Sequence, residues 1–318
     1  MTDLPLDPGP GPGKILLAGV EPRVDRAKIG ISYSGGGPQL VVELGCAQAF
    51  VEEGIVPAVI AGVSAGALAG TAHALDPERG RGVAIAAEIL GHVRRTTLKL
   101  AWYQVLLRFI AQNLHTVSLG DNAAIKSLVD EGLARDFGMS RPTIGAFRPP
   151  ERPKLMVGAT DRLNGTQVWL PEETALGDAL VASSAIPGVF PWRHLTVSGR
   201  ERTLVDGGVI SNQPISRLAL EGCGTIYAVA VGYGGGPAPP PTNLVDNLLQ
   251  SIWMGMHQSS LLEEEYVSLK LGDNGVIHHI HPQVEFPIRS YDFTPQTVAQ
   301  VMRDSAAATR AWLRGLPK

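Results

Sequence analysis

The feature that most constrains this chain is a serine held between two glycines, where an apolar run gives way to a run of small residues. Residues 56–61 (Val-Pro-Ala-Val-Ile-Ala) read as a short buried strand and residues 65–74 as a small-residue helix, with Gly62-Val63-Ser64-Ala65-Gly66 joining them. A serine on such a strand-to-helix turn exposes its hydroxyl, and Gly62 and Gly66 let the turn close without a Cβ clash. The helix start places free N–H groups and a partial positive charge beside that hydroxyl. This suits a nucleophile attacking an acyl carbonyl. The five-residue pattern is common by itself, and only the flanking elements give it meaning.

Two further segments point the same way. Residues 28–34 read as a strand running into Gly35-Gly36-Gly37, and a helical stretch over 39–53 follows, closed by Gly54. Three glycines between strand and helix let successive N–H groups face one cavity, which binds an anion or a developing oxyanion. The triplet is not followed by Gly-Lys-Ser/Thr, so it does not read as a nucleotide P-loop. The chain also lacks the G-x-G-x-x-G with a later acidic residue that marks a dinucleotide site. Downstream, Leu204-Val205-Asp206-Gly207-Gly208 ends a short apolar strand in a carboxylate. An isolated Asp-Gly is a turn; beside the other two segments, Asp206 becomes a candidate catalytic group.

Taken in order, the three segments resemble the patatin-like phospholipases, whose signature is a Gly-rich oxyanion loop, an early G-x-S-x-G and a later D-G-G/A. The likeness continues through Ala159-Thr160-Asp161 with Asn164-Gly165, through the run Val181-Ala-Ser-Ser-Ala-Ile-Pro-Gly-Val-Phe-Pro191, and through Ser211-Asn212-Gln213-Pro214. It covers residues 28–232. Asp292-Phe293 and the Ala-rich helix after it are similar to the tail of the bacterial and neuropathy-target-esterase branch.

The resemblance implies a Ser-Asp dyad without histidine. Ser64 is then the nucleophile and Asp206 its general base and orienter. The N–H groups of Gly35, Gly36 and Gly37, joined by that of Ala65, form the oxyanion hole, and Gly62, Gly66, Gly207 and Gly208 support the two turns. An aspartate with a pKa near 4 is a weak base at neutral pH. The dyad therefore requires a dry site that raises it. Each well-placed oxyanion donor has to contribute roughly 3–4 kcal/mol. One departure stands out. The family's glycine triplet is usually followed by x-Arg-Gly or x-Lys-Gly, whereas Pro38-Gln39-Leu40 stands here. Pro38 has no N–H and Gln39 no charge, which bears on phospholipid preference more than on hydrolysis.

Among the eight histidines, His257, His278, His279 and His281 follow Asp206 and could formally complete a Ser-acid-His triad. Nothing around them resembles a triad loop. Residues 276–282 alternate like a late strand, sending His279 and His281 to one face and His278 to the other. No carboxylate or cysteine spacing makes them a metal set. Neither metal nor organic cofactor is expected.

The length allows one large α/β domain, and 44% apolar with 18% charged residues fits a globular enzyme. A net charge of −3 argues against a nucleic-acid partner and gives no polybasic hold on anionic membranes. Cys46 and Cys223 form no disulfide framework and read as buried, reduced thiols of a cytoplasmic protein. Residues 1–26 open with Pro-Gly alternation and lack a basic-then-apolar leader, so they read as a flexible tail rather than a secretory signal. Residues 27–318 read as a single catalytic domain, with a motif core at 28–232, a Pro-rich loop at 234–241 and a helical section at 243–318.

Strands are expected near 28–34, 56–62, 154–160, 166–170, 203–206, 225–231 and 276–281. Helices are expected near 39–53, 65–74, 83–115, 121–134, 176–184, 214–221, 243–270 and 295–314. This alternation predicts a three-layer α/β/α fold, patatin-like by the resemblance, with a mostly parallel central sheet and Ser64 at a strand's C-terminal end. Residues 98–115, opening at Leu98 and closing at His115, put Gln104, Arg108, Gln112 and His115 on one helical face and a wide apolar surface with Trp102 and Tyr103 elsewhere. Lys99 and Arg108 interrupt the segment too early for a transmembrane span. It reads either as a helix packed on the core, the commoner outcome, or as a lid that makes peripheral contact with a membrane.

The expected activity is acyl hydrolysis of phospholipid, lysophospholipid or neutral lipid esters through an acyl-enzyme. The alternatives are a carboxylesterase or thioesterase for short soluble esters, and a catalytically silent lipid-binding module.

Overall fold

In the computed structural model, residues 22–100, 103, 105, 118–235, 240–241, 244–286 and 291–316 are described. The strands are β1 (Asp25–Tyr33), β2 (Val59–Val63), β3 (Lys154–Asp161), β4 (Thr166–Trp169), β5 (Arg193–Val197), β6 (Arg200–Asp206), β7 (Cys223–Val229) and β8 (Val276–Ile280). They make one sheet in the order β5-β6-β3-β2-β1-β7-β8, with β4 also paired to β3. The run β3-β2-β1-β7-β8 is parallel, and β4, β5 and β6 join antiparallel. Every residue of β2 is buried, as a parallel strand covered on both faces must be.

The helices are α1 (Leu40–Glu52), α2 (Ala65–Leu75), α3 (Arg81–Gly91), α4 (Ala124–Phe137), α5 (Leu176–Ser183), α6 (Ile215–Leu220), α7 (Leu244–Leu271) and α8 (Pro295–Arg314). One apolar layer packs α1–α5 and α8 on the sheet through residues such as Phe50, Ile60, Leu155, Leu180 and Val301. The other packs α6 and α7 through Ile215, Leu218, Ile226 and Val267. The sheet thus lies between two helical layers, the three-layer α/β/α architecture expected.

Small residues decide how closely α2 sits on the sheet. A Cβ on Gly66 would lie 2.3 Å from the Tyr33 carbonyl oxygen, and one on Gly70 would lie 2.8 Å from Ile60 Cγ2. The glycines are therefore needed for approach, and they seat the start of α2 beside the end of β1.

Three boundaries differ from the sequence reading. Sheet pairing begins at Asp25, which faces Cys223, so β1 starts three residues early. The strand β5 escapes that reading because Arg-His-Leu-Thr-Val is short, opens with two polar residues and lies on a half-exposed edge. Ser198 and Gly199, both with positive φ, fold it onto β6 as a two-residue hairpin. The single helix expected over 83–115 ends instead at Gly91. There the chain is captured by a distant segment: Phe293 N–H donates to the Val93 carbonyl at 3.1 Å, and Arg95 N–H donates to the Asp292 carboxylate at 3.0 Å. The Arg94 guanidinium also donates to the carbonyls of Gly91 and Phe293. Most of residues 98–115, and residues 1–21, lie outside the described residues.

Candidate active site

Ser64 closes β2 and opens α2 with φ 53° and ψ −124°, a region that non-glycine residues rarely occupy. Such a conformation costs roughly 1–3 kcal/mol and persists only when the surroundings hold it. The hold is visible. The Ser64 N–H donates to Ser183 Oγ at 2.9 Å, and that hydroxyl donates to the Gly158 carbonyl at 2.7 Å, tying the turn to α5 and β3. Gly62 is required because a Cβ there would lie 2.4 Å from the Gly66 carbonyl oxygen. Ser183 lies within the 181–191 segment, but its buttressing role leaves no trace in the sequence.

The Ser64 hydroxyl donates to Asp206 Oδ2 at 2.5 Å. Asp206 ends β6, and its other oxygen accepts the Gly208 N–H at 2.8 Å. The side chain is buried, and desolvation lifts its pKa to about 6; the hydrogen bonds from Ser64 and Gly208 pull the other way but do not cancel it. Its charge in turn helps raise the pKa of Tyr291, after the larger effect of that residue's own burial. Among the described residues, Asp206 has no cationic partner.

The glycine loop divides its labour. Gly35, expected from the sequence among the oxyanion donors, has its N–H engaged here: it donates to the Asn212 carbonyl at 3.1 Å. Its need for glycine is steric: a Cβ would lie 2.5 Å from Asn212 Oδ1 and 3.3 Å from Ser64 Cβ. Among the described residues, no acceptor is recorded for the N–H groups of Gly36, Gly37 and Ala65. Gly37 has φ +55°, and a Cβ there would lie 3.0 Å from the Tyr291 hydroxyl, which closes the loop from the far end of the chain. Gln39 turns its amide toward Gly232, with Oε1 buried and without a partner among the described residues.

Helix α7 clamps the segment after Asp206. Glu263 accepts from Ser211 Oγ at 2.6 Å and from the N–H and hydroxyl of Ser216 at 3.0 and 2.5 Å. Ser259 donates to the Ile210 carbonyl at 2.9 Å, and Met256 packs on Gly208 so closely that a Cβ there would meet its methyl at 2.6 Å. A Cβ on Gly207 would lie 2.5 Å from the Gly158 carbonyl oxygen. Glu263 meets Ser211 and Ser216 only across the fold, so no local signal in the sequence marks it.

The histidines are engaged elsewhere. His279 pairs with Glu264 at 2.8 Å, His278 stacks on Tyr227, and His257 and His281 flank Gly235 and Gly234. His279 and His281 therefore face α7 while His278 faces Trp312 of α8, the split that alternation predicts. Among the described residues, no histidine hydrogen-bonds to Ser64 or Asp206, and no group of three or more metal-ligating side chains occurs.

Behind Ser64 lies an apolar cavity of about 180 Å³. Near the serine it is walled by Leu98, Ile125, Phe190 and Phe293, and it continues between α2, α3 and α4 to Leu75, Gly82 and Phe137. Leu98, the first residue of the segment expected to be a lid or core helix, is buried against Val189 and Phe190.

The family model for the patatin-like phospholipases matches residues 31–219, more than half of the chain. An uncharacterised NTE family protein of Mycobacterium bovis is 26% identical over 207 residues, covering 65% of this chain and 31% of its own length. The lysophospholipase NTE1 of Saccharomyces cerevisiae is 27% identical over 207 residues, covering 64% of this chain and 11% of its own. The chain thus spans a third or less of these relatives. Among solved structures, VipD from Legionella pneumophila aligns with 92% of this chain and 67% of its own at TM-score 0.45 and 16% identity. Human GIVD cytosolic phospholipase A2 aligns with 92% and 63% at TM-score 0.45 and 11% identity.

Proposed function

The chain belongs to the patatin-like phospholipase family, and from that premise we propose that it is a serine acyl hydrolase of lipid esters working through a Ser64–Asp206 dyad. The observation that carries this reading is the 2.5 Å contact between the Ser64 hydroxyl and a buried carboxylate, at the head of an apolar cavity.

In the first step Ser64 Oγ bonds to the ester carbonyl carbon while its proton passes to Asp206. The N–H groups of Gly36, Gly37 and Ala65 take the negative charge that develops on the carbonyl oxygen. The bond to the leaving alcohol breaks, and Asp206 returns the proton to that oxygen. Water then attacks the acyl-enzyme, giving its proton to Asp206, which passes it back to Ser64 as the fatty acid departs. A carboxylate with a pKa of about 6 suits this shuttle. It is mostly ionised at neutral pH, yet more basic than a solvated aspartate.

The cavity favours a fatty-acyl substrate over a short soluble ester. Peripheral contact with a lipid surface through residues 98–115 belongs to the same proposal; in that segment Tyr103 is exposed and Leu98 is buried. Among the described residues, no helix is long and apolar enough to cross a membrane. We also propose a cytoplasmic setting, which suits the two free, buried cysteines whose thiols burial pushes up to about 12.

Hydrolysis of a graded series of p-nitrophenyl esters and of phosphatidylcholine by wild type, Ser64→Ala and Asp206→Asn tests the reading. Turnover by wild type with losses of about 10⁴-fold in Ser64→Ala is expected. Full activity in Ser64→Ala overturns the nucleophile, and an inert wild type points to a lipid-binding module.

A further inference from the structure

We propose that the cavity is an acyl-chain ruler whose floor, made by Leu75, Gly82 and Phe137, limits the fatty acyl group to about a dozen carbons. This rests on the acyl-hydrolase reading and names the substrate class within it.

The length follows from α2. One stripe of that helix lines the cavity from end to end: Ala65, Leu68, Thr71, Ala72 and Leu75. From Ala65 beside the nucleophile to Leu75, ten residues at a rise of 1.5 Å make about 15 Å. An extended chain advances about 1.3 Å per bond, as the 3.8 Å spanned by three backbone bonds implies, so about 12 carbons fill that path.

The two other walls run the same way. Helix α3 starts at the floor, where Gly82 packs so tightly on α2 that a Cβ would lie 2.2 Å from the Ala72 carbonyl oxygen. Helix α4 begins near the serine with Ile125 and ends at Phe137. Arg81 closes the floor from outside. Its guanidinium lies 5.1 Å from the centre of the Phe137 ring and donates to the Asp136 carbonyl at 2.6 Å. A longer chain would have to displace that ring and its cation.

The walls also suit hydrocarbon. The Thr71 hydroxyl is spent on the Ala67 carbonyl at 2.7 Å and that of Ser184 on the Leu180 carbonyl at 2.7 Å. Both residues therefore line the cavity without an unpaired polar group. Gly132 sits partway down α4, five residues before Phe137, and packs against Ile89 in the cavity wall, where a Cβ would lie 3.0 Å from Ile89 Cδ1. A larger side chain there presses on Ile89 and narrows the path.

The test is the length profile of kcat/KM on p-nitrophenyl esters from 4 to 18 carbons, for wild type, Phe137→Ala and Gly132→Val. Circular dichroism checks that each variant is folded. Wild type is expected to peak near 12 carbons and to fall at least tenfold by 16. Phe137→Ala should move the peak up by about two carbons or more, and Gly132→Val down by about six, one α4 segment of roughly 7.5 Å. Isothermal titration of butyric, dodecanoic and hexadecanoic acids into Ser64→Ala, alone and combined with each cavity variant, reads the same ruler without catalysis. Dodecanoic acid should bind tightest in Ser64→Ala. A wild-type profile that stays flat or rises through 18 carbons overturns the ruler while leaving the hydrolase reading intact. So does a folded pair of variants that leaves the peak in place. If no ester is cleaved but dodecanoic acid binds best, the ruler stands and the hydrolase reading falls. If neither length preference appears, both fall.

Discussion

Two aspartates stand one strand apart at the same end of the sheet, and they have been given opposite chemistry. Asp161 ends β3 and Asp206 ends β6, and the two strands pair so that Ala159 faces Asp206 and Leu204 faces Asp161. Their side chains are almost equally inaccessible, at 1% and 3% exposure. Around Asp161, burial raises the pKa, but hydrogen bonds from Asn164, the Arg202 guanidinium at 2.8 Å and the N–H groups of Leu163 and Asn164 outweigh it, so the carboxyl titrates below its usual range. Around Asp206, burial wins, because the Ser64 hydroxyl and the Gly208 N–H are its only hydrogen-bond donors among the described residues. Asp206 lies deeper than Asp161 and, among the described residues, lacks a cation, and the two together lift its pKa.

The largest expected break in this comparison is catalytic. Asp206→Asn should lower kcat/KM on a lipid ester by about 10³-fold or more, while Asp161→Asn should lower it less than tenfold. Equal losses would mean that the two carboxylates do not differ in role.

Next in size is a stability difference of opposite sign. The folded-state pKa of Asp206 is raised from 3.8 to about 6. Its contribution to stability is therefore full below pH 3.8 and lost as the pH rises through about 6. A rise of that size corresponds to about 3 kcal/mol. Asp206→Asn should accordingly be more stable than wild type at pH 8, with the gap closing below pH 4, as read by urea unfolding at several pH values. Arg202→Met should do the reverse, since it strands the buried Asp161 carboxylate. A loss of about 3 kcal/mol is expected, seen as a fall of several degrees in Tm. An unchanged Tm would remove the cation from the explanation.

The smallest effect is the sharpest. Log kcat/KM should rise with unit slope up to a pH of about 6 and level off above it, as Asp206 loses its proton. Arg202→Met should leave that inflection where it is, because it acts on the other aspartate.

Much of this pair was legible in the sequence. Asp206 and Ser64 are marked by glycines, and glycines are local signals: each reports a turn or an approach that a Cβ forbids. The parallel sheet was legible from alternating strands and helices for the same reason. What escaped depends on contacts between distant parts of the chain. Gly35 looked like a donor until Asn212, 177 residues away, took its N–H. Ser183, Glu263 and Tyr291 act through side chains that reach the site only after folding. The helix over 83–115 failed at Gly91 because residues 292–293 offered the backbone other partners. The sequence showed which residues were special and hid which of their hydrogen bonds were already spent.

The central claim is that Asp206 activates Ser64, and labelling by a dodecyl fluorophosphonate tests it most directly. The second-order rate of adduct formation, followed by intact mass between pH 4.5 and 8.5, is compared in wild type and Asp206→Asn, with the site located by peptide mapping. The account predicts a single adduct on Ser64, formed at a rate that rises through a pH of about 6 in wild type and is at least a hundredfold slower, with no such inflection, in Asp206→Asn. Labelling elsewhere, or equally fast labelling of Ser64 in both proteins, would contradict it.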